Sequence, residues 1–255
     1  MSETFSGNPE PQFVGGLVMQ TCESVTAMIL AGGLGTRLRS SVGGLPKVLA
    51  PVNDRPFLSY LLDQLLQAGF SRVILCTGYG ADQIEKAFGE VYENVTIEYS
   101  REPRPLGTGG ALRYASPRIG TSEILVMNGD SFINADLIRF MAWYFEKGLD
   151  AALLLKYLSN TSQYGRIEID NDGRVRCFKE KAAKNGPGLI NAGVYVLKRS
   201  LLELIPSGSF FSLERGFLTP LVGGRLYGYR SEGDFIDIGT PKSYASANDF
   251  FRDLT

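Results

Sequence analysis

The chain predicts an α/β fold: a mixed, mostly parallel sheet flanked by helices, with a small β-rich lobe toward the C-terminal end. Three observations predict it. From Val25 onward, short apolar runs of strand length alternate with longer stretches at helical spacing. The runs of the first half are continuously apolar, as strands buried on both faces are. The second half changes to polar–apolar alternation around Asn171-Asp172-Gly173, a hairpin signal.

Taken in order, residues 1–23 read as an irregular extension, with Pro9, Pro11 and the Gly15-Gly16 pair, and 24–255 as one domain. Val25–Ala31 is a strand that stops at Gly32-Gly33, followed by a long polar, glycine-rich loop to Lys47. Pro56–Ala68 places Phe57, Leu58, Leu61, Leu62, Leu65 and Leu66 on one helical face, with Gly69 as the stop. Arg72–Thr77 is a strand, Ala81–Phe88 a helix ended by Gly89, and Val95–Tyr99 a strand. Gly107–Ala115 reads as a loop running into a helix, Glu123–Met127 as a strand ending at Asn128-Gly129-Asp130, and Asp136–Lys147 as a helix stopped by Gly148. Ala151–Tyr157 is a strand, Arg166–Asp170 and Arg174–Phe178 form the hairpin, and Asn191–Leu197 and Leu226–Arg230 are further strands. Pro241–Phe251 is predicted as one final helix, with Thr240 as N-cap.

Composition narrows the chemistry. The chain has 255 residues, enough for one large domain or two small ones. Twenty-six basic residues against 27 acidic give a formal charge of −1, which argues against a nucleic-acid partner. There is no histidine. Every histidine-dependent triad, histidine metal ligand and histidine general base is therefore excluded. Cys22, Cys76 and Cys177 are scattered, odd in number and without CxxC spacing, which reads as thiols in a reducing compartment. No stretch approaches a membrane span, and residues 1–20 lack a signal peptide's basic start and apolar core. A soluble cytoplasmic protein with no membrane partner is expected.

The sharpest local signal is Leu30-Ala31-Gly32-Gly33-Leu34-Gly35-Thr36-Arg37-Leu38 after the first strand. Glycines there let backbone amides approach phosphate oxygens, and Arg37 adds a planar fork for them. A dinucleotide fingerprint fits poorly: Leu38 stands where the third glycine belongs, and Asp54, at the right distance for a ribose carboxylate, precedes a helix. No GK[ST] of a Walker loop is present, and a plain tight turn stays open for this segment alone. Pro46-Lys47 closes the loop with a fixed point charge. Leu106-Gly107-Thr108-Gly109-Gly110-Ala111 is a second glycine-rich segment, where a flat ring can lie on bare backbone or a helix can simply begin. Asp130 ends a strand, where open α/β sheets bind ligands. Asp237 sits inside the apolar run Phe235–Ile238, where a charge needs a partner; capping is its bland role and metal binding the sharper one. Without histidine, two such carboxylates point to Mg²⁺ or Mn²⁺. Glu180-Lys181 and Asn191-Ala192-Gly193 offer polar groups beside small residues.

These segments, in this order, resemble the sugar-1-phosphate nucleotidyltransferases, over about Val25 to Phe251. The form Leu-Gly-Thr-Gly-Gly-Ala is most similar to the D-glycero-D-manno-heptose 1-phosphate guanylyltransferases, with mannose-1-phosphate guanylyltransferases and MurNAc-1-phosphate uridylyltransferases nearby. The resemblance implies the Rossmann-like nucleotidyltransferase fold, in which the C-terminal lobe binds sugar. It implies transfer of a nucleoside monophosphate, with GTP the best match, to a sugar 1-phosphate, releasing pyrophosphate. It implies Arg37, Lys47 and Asp130 as catalytic residues, and Leu30, Ala31, Gly32, Gly33, Gly35, Thr36, Gly107, Thr108 and Gly109 at the nucleotide. Gly129, Tyr164, Gly165, Glu180, Lys181, Asn191 and Gly193 fall at the sugar phosphate, and Asp130 and Asp237 at Mg²⁺. It implies a role in making a surface polysaccharide. Ala182 departs from the proline usual after this Glu-Lys pair, and the extension has no counterpart in the family's core.

The residue chemistry agrees. A phosphate monoester has a second pKa near 6, so a sugar 1-phosphate is largely a dianion at neutral pH and needs no general base. What it needs is alignment and cations to offset anion–anion repulsion. A non-catalytic nucleotide-sugar sensor and a dehydrogenase remain as other readings, and a homo-oligomer is open.

Overall fold

The computed structural model describes residues 24–38, 41–179 and 186–254. The predicted extension 1–23 therefore lies outside the described residues, as do Glu180 and Lys181.

A ten-stranded mixed sheet organises the molecule. Its centre is parallel: β1 (Val25–Leu30) lies between β4 (Arg72–Thr77) and β7 (Glu123–Asn128), and β6 (Val95–Arg101) adds outside β4. The short β5 (Val91–Tyr92) closes that edge. On the other side the long β12 (Gly188–Lys198) runs antiparallel to β7, with β9 (Ala151–Leu158) along its far edge and β13 (Leu226–Ser231) beyond. The hairpin of β10 (Arg166–Ile169) and β11 (Val175–Lys179) adds to the first half of β12. The β-rich second half is thus hydrogen-bonded into the same sheet.

Alternation along β1 shows why the strands read as continuously apolar. Ala27 and Ile29 face one core and Met28 faces the other, so both faces are buried. The helices are α1 (Phe57–Gln67), α2 (Ala81–Phe88), α3 (Gly107–Ala115) and α4 (Leu137–Glu146). Left-handed Gly69 and Gly148 lie just past α1 and α4, as their sequence positions predict. Asp136 caps α4 by accepting from the Arg139 amide at 2.9 Å. Among the described residues no helix is long and apolar enough to cross a membrane.

Two expectations need correction. The final helix is two short ones, α5 (Pro241–Ala245) and α6 (Ala247–Asp253). The Ser246 hydroxyl donates to the Ser243 carbonyl at 2.8 Å, and such local side-chain bonds compete with a continuous helix. Thr240 does cap α5, in a reciprocal box with Ser243. The Gly107–Ala115 segment is helical from its first glycine, with no loop before the turns.

Beside the short antiparallel pair of β2 (Pro51–Val52) and β3 (Arg55–Pro56), one small ladder sets up the chemistry. β8 (Ser131–Ile133) pairs antiparallel with β14 (Phe235–Asp237), aligning Asp237 with Ser131. Phe132 packs edge-on against Phe251 of α6, with ring centroids 5.0 Å apart, which seats the C-terminal helices on the ladder.

Candidate active site

The carboxyl ends of β1, β4 and β7 open into a cleft of about 410 Å³. Chain order reverses on either side of β1, which is where open α/β sheets bind ligands. The turn after β1 forms one wall, through Leu30, Ala31, Gly32, Gly33 and Gly35. A Cβ on Gly32 would sit tightly against Glu102 Oε1 at 3.1 Å and the Gly78 amide nitrogen, just past β4, at 3.2 Å. A Cβ on Gly33 would meet nothing within 4 Å and would project into free space. Gly35 turns the chain with φ of +57°. Among the described residues, no backbone carbonyl takes up the amides of Gly33, Leu34 or Gly35. Thr36 and Arg37 lie beyond, exposed on the turn closed by Leu38 N–H donating to the Gly35 carbonyl, and neither is part of the cleft wall.

A charged cluster faces this turn. Pro46 precedes a one-turn 3-10 segment, Lys47–Leu49, that points Lys47 into the cleft. Its side chain is only 13 % exposed, and Nζ sits 2.5 Å from Asp130 Oδ2. Asp130 follows β7, and its carbonyl accepts from the Ile238 amide at 2.9 Å. That bond and the β8–β14 ladder bring Asp237 beside it across 107 positions of sequence (237 − 130). Burial pushes the Asp237 carboxyl up, and the neighbouring Asp130 charge adds to the push. The Gly239 amide donating to Asp237 Oδ1, Lys47 and Arg37 act the other way. Arg37, Lys47, Asp130 and Asp237 therefore share one field. Two adjacent carboxylates, one mostly buried, are a donor set that suits a hard divalent cation completed by phosphate oxygens. Among the described residues, no group of three or more acidic or thiol side chains gathers to hold a metal by itself.

The opposite wall comes from β6 and α3. Gly107 and Thr108 line it, but Gly109 does not. The amides of Gly109 and Gly110 both donate to the Phe211 carbonyl, at 2.9 and 3.1 Å. A Cβ on Gly109 would meet Phe211 Cδ1 at 3.0 Å, so this glycine is required by packing. Thr108 is likewise engaged: its hydroxyl donates to Glu214 Oε2 at 3.1 Å and accepts from the Leu213 amide at 2.8 Å. Glu102 completes this wall. One of its carboxylate oxygens accepts from the Leu106 amide at 3.0 Å, and burial raises its pKa. Glu102, Phe210 and Glu214 were not singled out from sequence.

On the β12 side, Tyr164 lies within reach of both acidic groups. Burial, then the charges of Asp237 and Asp130, push its phenol up to about 12. Gly165 follows, half-buried, at the start of the β10 hairpin. Asn191 and Gly193 sit at a bulge where the β9–β12 register shifts. Asn191 Oδ1 accepts from the Gly193 amide at 2.9 Å, and Nδ2 donates to the Tyr195 hydroxyl at 2.8 Å. This leaves one amide hydrogen and one lone pair of Oδ1 for anything else. Gly193, with φ of +79°, backs onto Ser131 and Asn128. Gly129 joins the two halves, its amide donating to the Leu30 carbonyl at 3.0 Å.

The sequence profile of the nucleotidyl transferase family matches residues 26–253. This chain belongs to the nucleotidyl transferase family. Its curated relatives include the D-glycero-alpha-D-manno-heptose 1-phosphate guanylyltransferase of Aneurinibacillus thermoaerophilus, 40% identical over 87% of this chain and 96% of that one. The enzyme of the same name from Campylobacter jejuni is 34% identical over 86% and 96%. Among solved structures, HddC from Yersinia pseudotuberculosis complexed with GMP-PN superposes with a TM-score of 0.79. It is 35% identical and covers 89% of this chain and 99% of that one.

Within this family member, Lys47 and Asp130 line one end of the cleft, while Arg37, Asp237 and Tyr164 lie outside its lining and are tied to them through the field they share. The turn after β1 and the α3 wall form the other end. The sequence signal for Glu102 is thin, a lone glutamate before Pro103 at the end of a strand.

Proposed function

We propose that this nucleotidyl transferase moves a guanylyl group from GTP to a sugar 1-phosphate, with D-glycero-D-manno-heptose 1-phosphate as the acceptor. The observation that carries the reaction is the Lys47–Asp130 pair lining the same cleft as the open amides of the turn after β1, with Asp237 brought beside Asp130 by the β8–β14 ladder. The relatives named for this reaction, matched over nearly their whole length, support the substrate pair. Glu102 supports the base. A carboxylate only accepts hydrogen bonds, and guanine alone among the common bases presents two adjacent donors on its pairing edge.

In this reading a sugar-phosphate oxygen forms a bond to the α-phosphorus of GTP as the bond to the β-phosphate bridging oxygen breaks, releasing pyrophosphate. No proton has to move, which suits a chain without histidine. Arg37 and the amides of Gly33 and Gly35 receive the triphosphate. Lys47, held by Asp130, would lie between the two phosphates and lower their repulsion. Asp130 and Asp237 would hold Mg²⁺ or Mn²⁺, which supplies charge neutralisation at the phosphates. Tyr164, Gly165 and Gly193 border the sugar side, and Glu180 and Lys181 keep their family-implied place there. In this reading the reaction runs in the cytoplasm, upstream of a glycan polymer.

The test is pyrophosphate release with Mg²⁺, across GTP, UTP, dTTP, CTP and ATP against heptose, mannose, glucose and MurNAc 1-phosphates. Release strongest with GTP and the heptose phosphate is expected. Release with another pair moves the substrate assignment, and no release from folded protein refutes the enzymatic reading.

A further inference from the structure

Phe210 is the most exposed large apolar side chain among the described residues, at 73 %, yet it lines the nucleotide cleft. Its backbone is not loose. The Phe211 amide donates to the Leu106 carbonyl at 2.8 Å, and the Phe211 carbonyl takes both the Gly109 and Gly110 amides. Arg104 Nη2 donates to the Gly208 carbonyl at 2.7 Å on one side of the ring. Thr108 Oγ1 holds the Leu213 amide on the other. Phe210 is thus carried on a bracket clamped to the first turn of α3.

The glycines of α3 make that bracket possible. A Cβ on Gly107 would meet the Phe211 carbonyl oxygen at 2.7 Å and Phe210 Cε2 at 3.3 Å. A Cβ on Gly110 would meet the Ser209 carbonyl oxygen at 2.8 Å. The glycine-rich segment lines the cleft with Gly107 and Thr108 and at the same time seats a segment that carries a flat ring. A phenyl ring fixed in water at the mouth of a cleft loses apolar burial and gains it back only when another surface covers it.

We propose that Phe210 is the stacking platform for the base of the nucleoside triphosphate, held in place by its bracket on Gly107, Gly109 and Gly110. This rests on the nucleotide-binding reading above but not on which base is used, since every base has a face that stacks. Glu102, on the same wall, would then meet the edge of a base whose face lies on Phe210.

The experiment compares wild type with Phe210→Ala, Phe210→Tyr and Phe210→Trp, using GTP and UTP in steady-state kinetics and in calorimetric binding. Because the ring is exposed, Phe210→Ala is expected to keep the wild-type melting temperature. Its affinity for the preferred triphosphate is expected to fall about 5- to 150-fold. Its kcat and its KM for the sugar phosphate should stay within about twofold. Tyrosine and tryptophan should restore affinity, and the tryptophan's emission should change with triphosphate but not with pyrophosphate alone. Unchanged triphosphate affinity in Phe210→Ala, or equal losses for triphosphate and pyrophosphate, would overturn the platform. A wild type that prefers UTP and loses UTP affinity in Phe210→Ala would overturn the guanine assignment and leave the platform standing.

Discussion

Gly129 sits where β7 leaves the sheet, between Asn128 on the strand and Asp130 in the charged cluster. A Cβ there would lie 2.8 Å from Val48 Cγ1 and closer still to the Leu30 carbonyl oxygen. The Leu30 oxygen is backbone and already accepts from the Gly129 amide, so neither side can rotate away. In a close-packed interior the added carbon regains ordinary contact only if the backbone retreats by roughly 1 Å. Asp130 is the next residue, and its carboxylate is 2.5 Å from Lys47. Overpacking of this kind costs about 1–3 kcal/mol. For a chain of this size that lowers the melting temperature by about 2–12 °C. A misplacement of about 1 Å at a phosphoryl-transfer site can cost about 100-fold in rate. Gly129→Ala should therefore fold at 25 °C, melt earlier, and turn over about two orders of magnitude more slowly. Pyrophosphate release at saturating substrates, run beside thermal unfolding, measures both. A folded Gly129→Ala whose kcat stays within about threefold of wild type would refute the claim that this backbone positions the cluster.

Two further outcomes are expected. Lys47→Met should lower kcat/KM by about 10³-fold or more, as loss of a key cation does in phosphoryl transfer. Lys47→Arg should not restore it, because a planar guanidinium does not replace a point charge in a site only 13 % exposed; recovery above about a tenth of wild-type kcat/KM would argue against this role. Lys198 Nζ and Arg225 Nε hold Asp150 at 2.6 Å each and depress its carboxyl below the ordinary carboxylate range. A depressed folded-state pKa contributes stability above the unfolded value, near 4, and loses it as pH falls through the folded value. Urea midpoints should thus fall less steeply with pH below about 4 in Asp150→Asn than in wild type, and parallel curves would contradict the assignment.

The fold was legible wherever one element carried its own signal. The β1, β4 and β7 runs are continuous and bounded by glycine, and α1, α2 and α4 combine helical spacing with a glycine stop. The signal failed where the decisive contact was distant. The β8 and β14 strands are three residues each, too short to show a period, and their pairing is fixed by tertiary packing against Phe251. That pairing is what puts Asp237 beside Asp130. Sequence could mark each carboxylate as out of place, but only the ladder makes them neighbours.

The same distinction separates the two glycine-rich segments. In the turn after β1, Gly33 faces open space and neighbouring amides have no backbone partner among the described residues, so the ligand-centred reading suits it. In α3 the missing Cβ atoms make room for protein: Cβ atoms on Gly107, Gly109 and Gly110 would meet Phe211 or Ser209, while Gly107 and Thr108 also line the cleft. A glycine pattern in sequence says that something approaches the backbone closely, and it does not say whether that is a phosphate or another stretch of the chain. Asn191 repeats the lesson, because half of its hydrogen-bonding capacity goes to Gly193 and Tyr195 and shapes the bulge. The residues that the α3 wall adds to the cleft, Glu102 and Phe210, carry no motif at all. They become candidates only once a fixed wall shows which of their atoms are left facing the cleft.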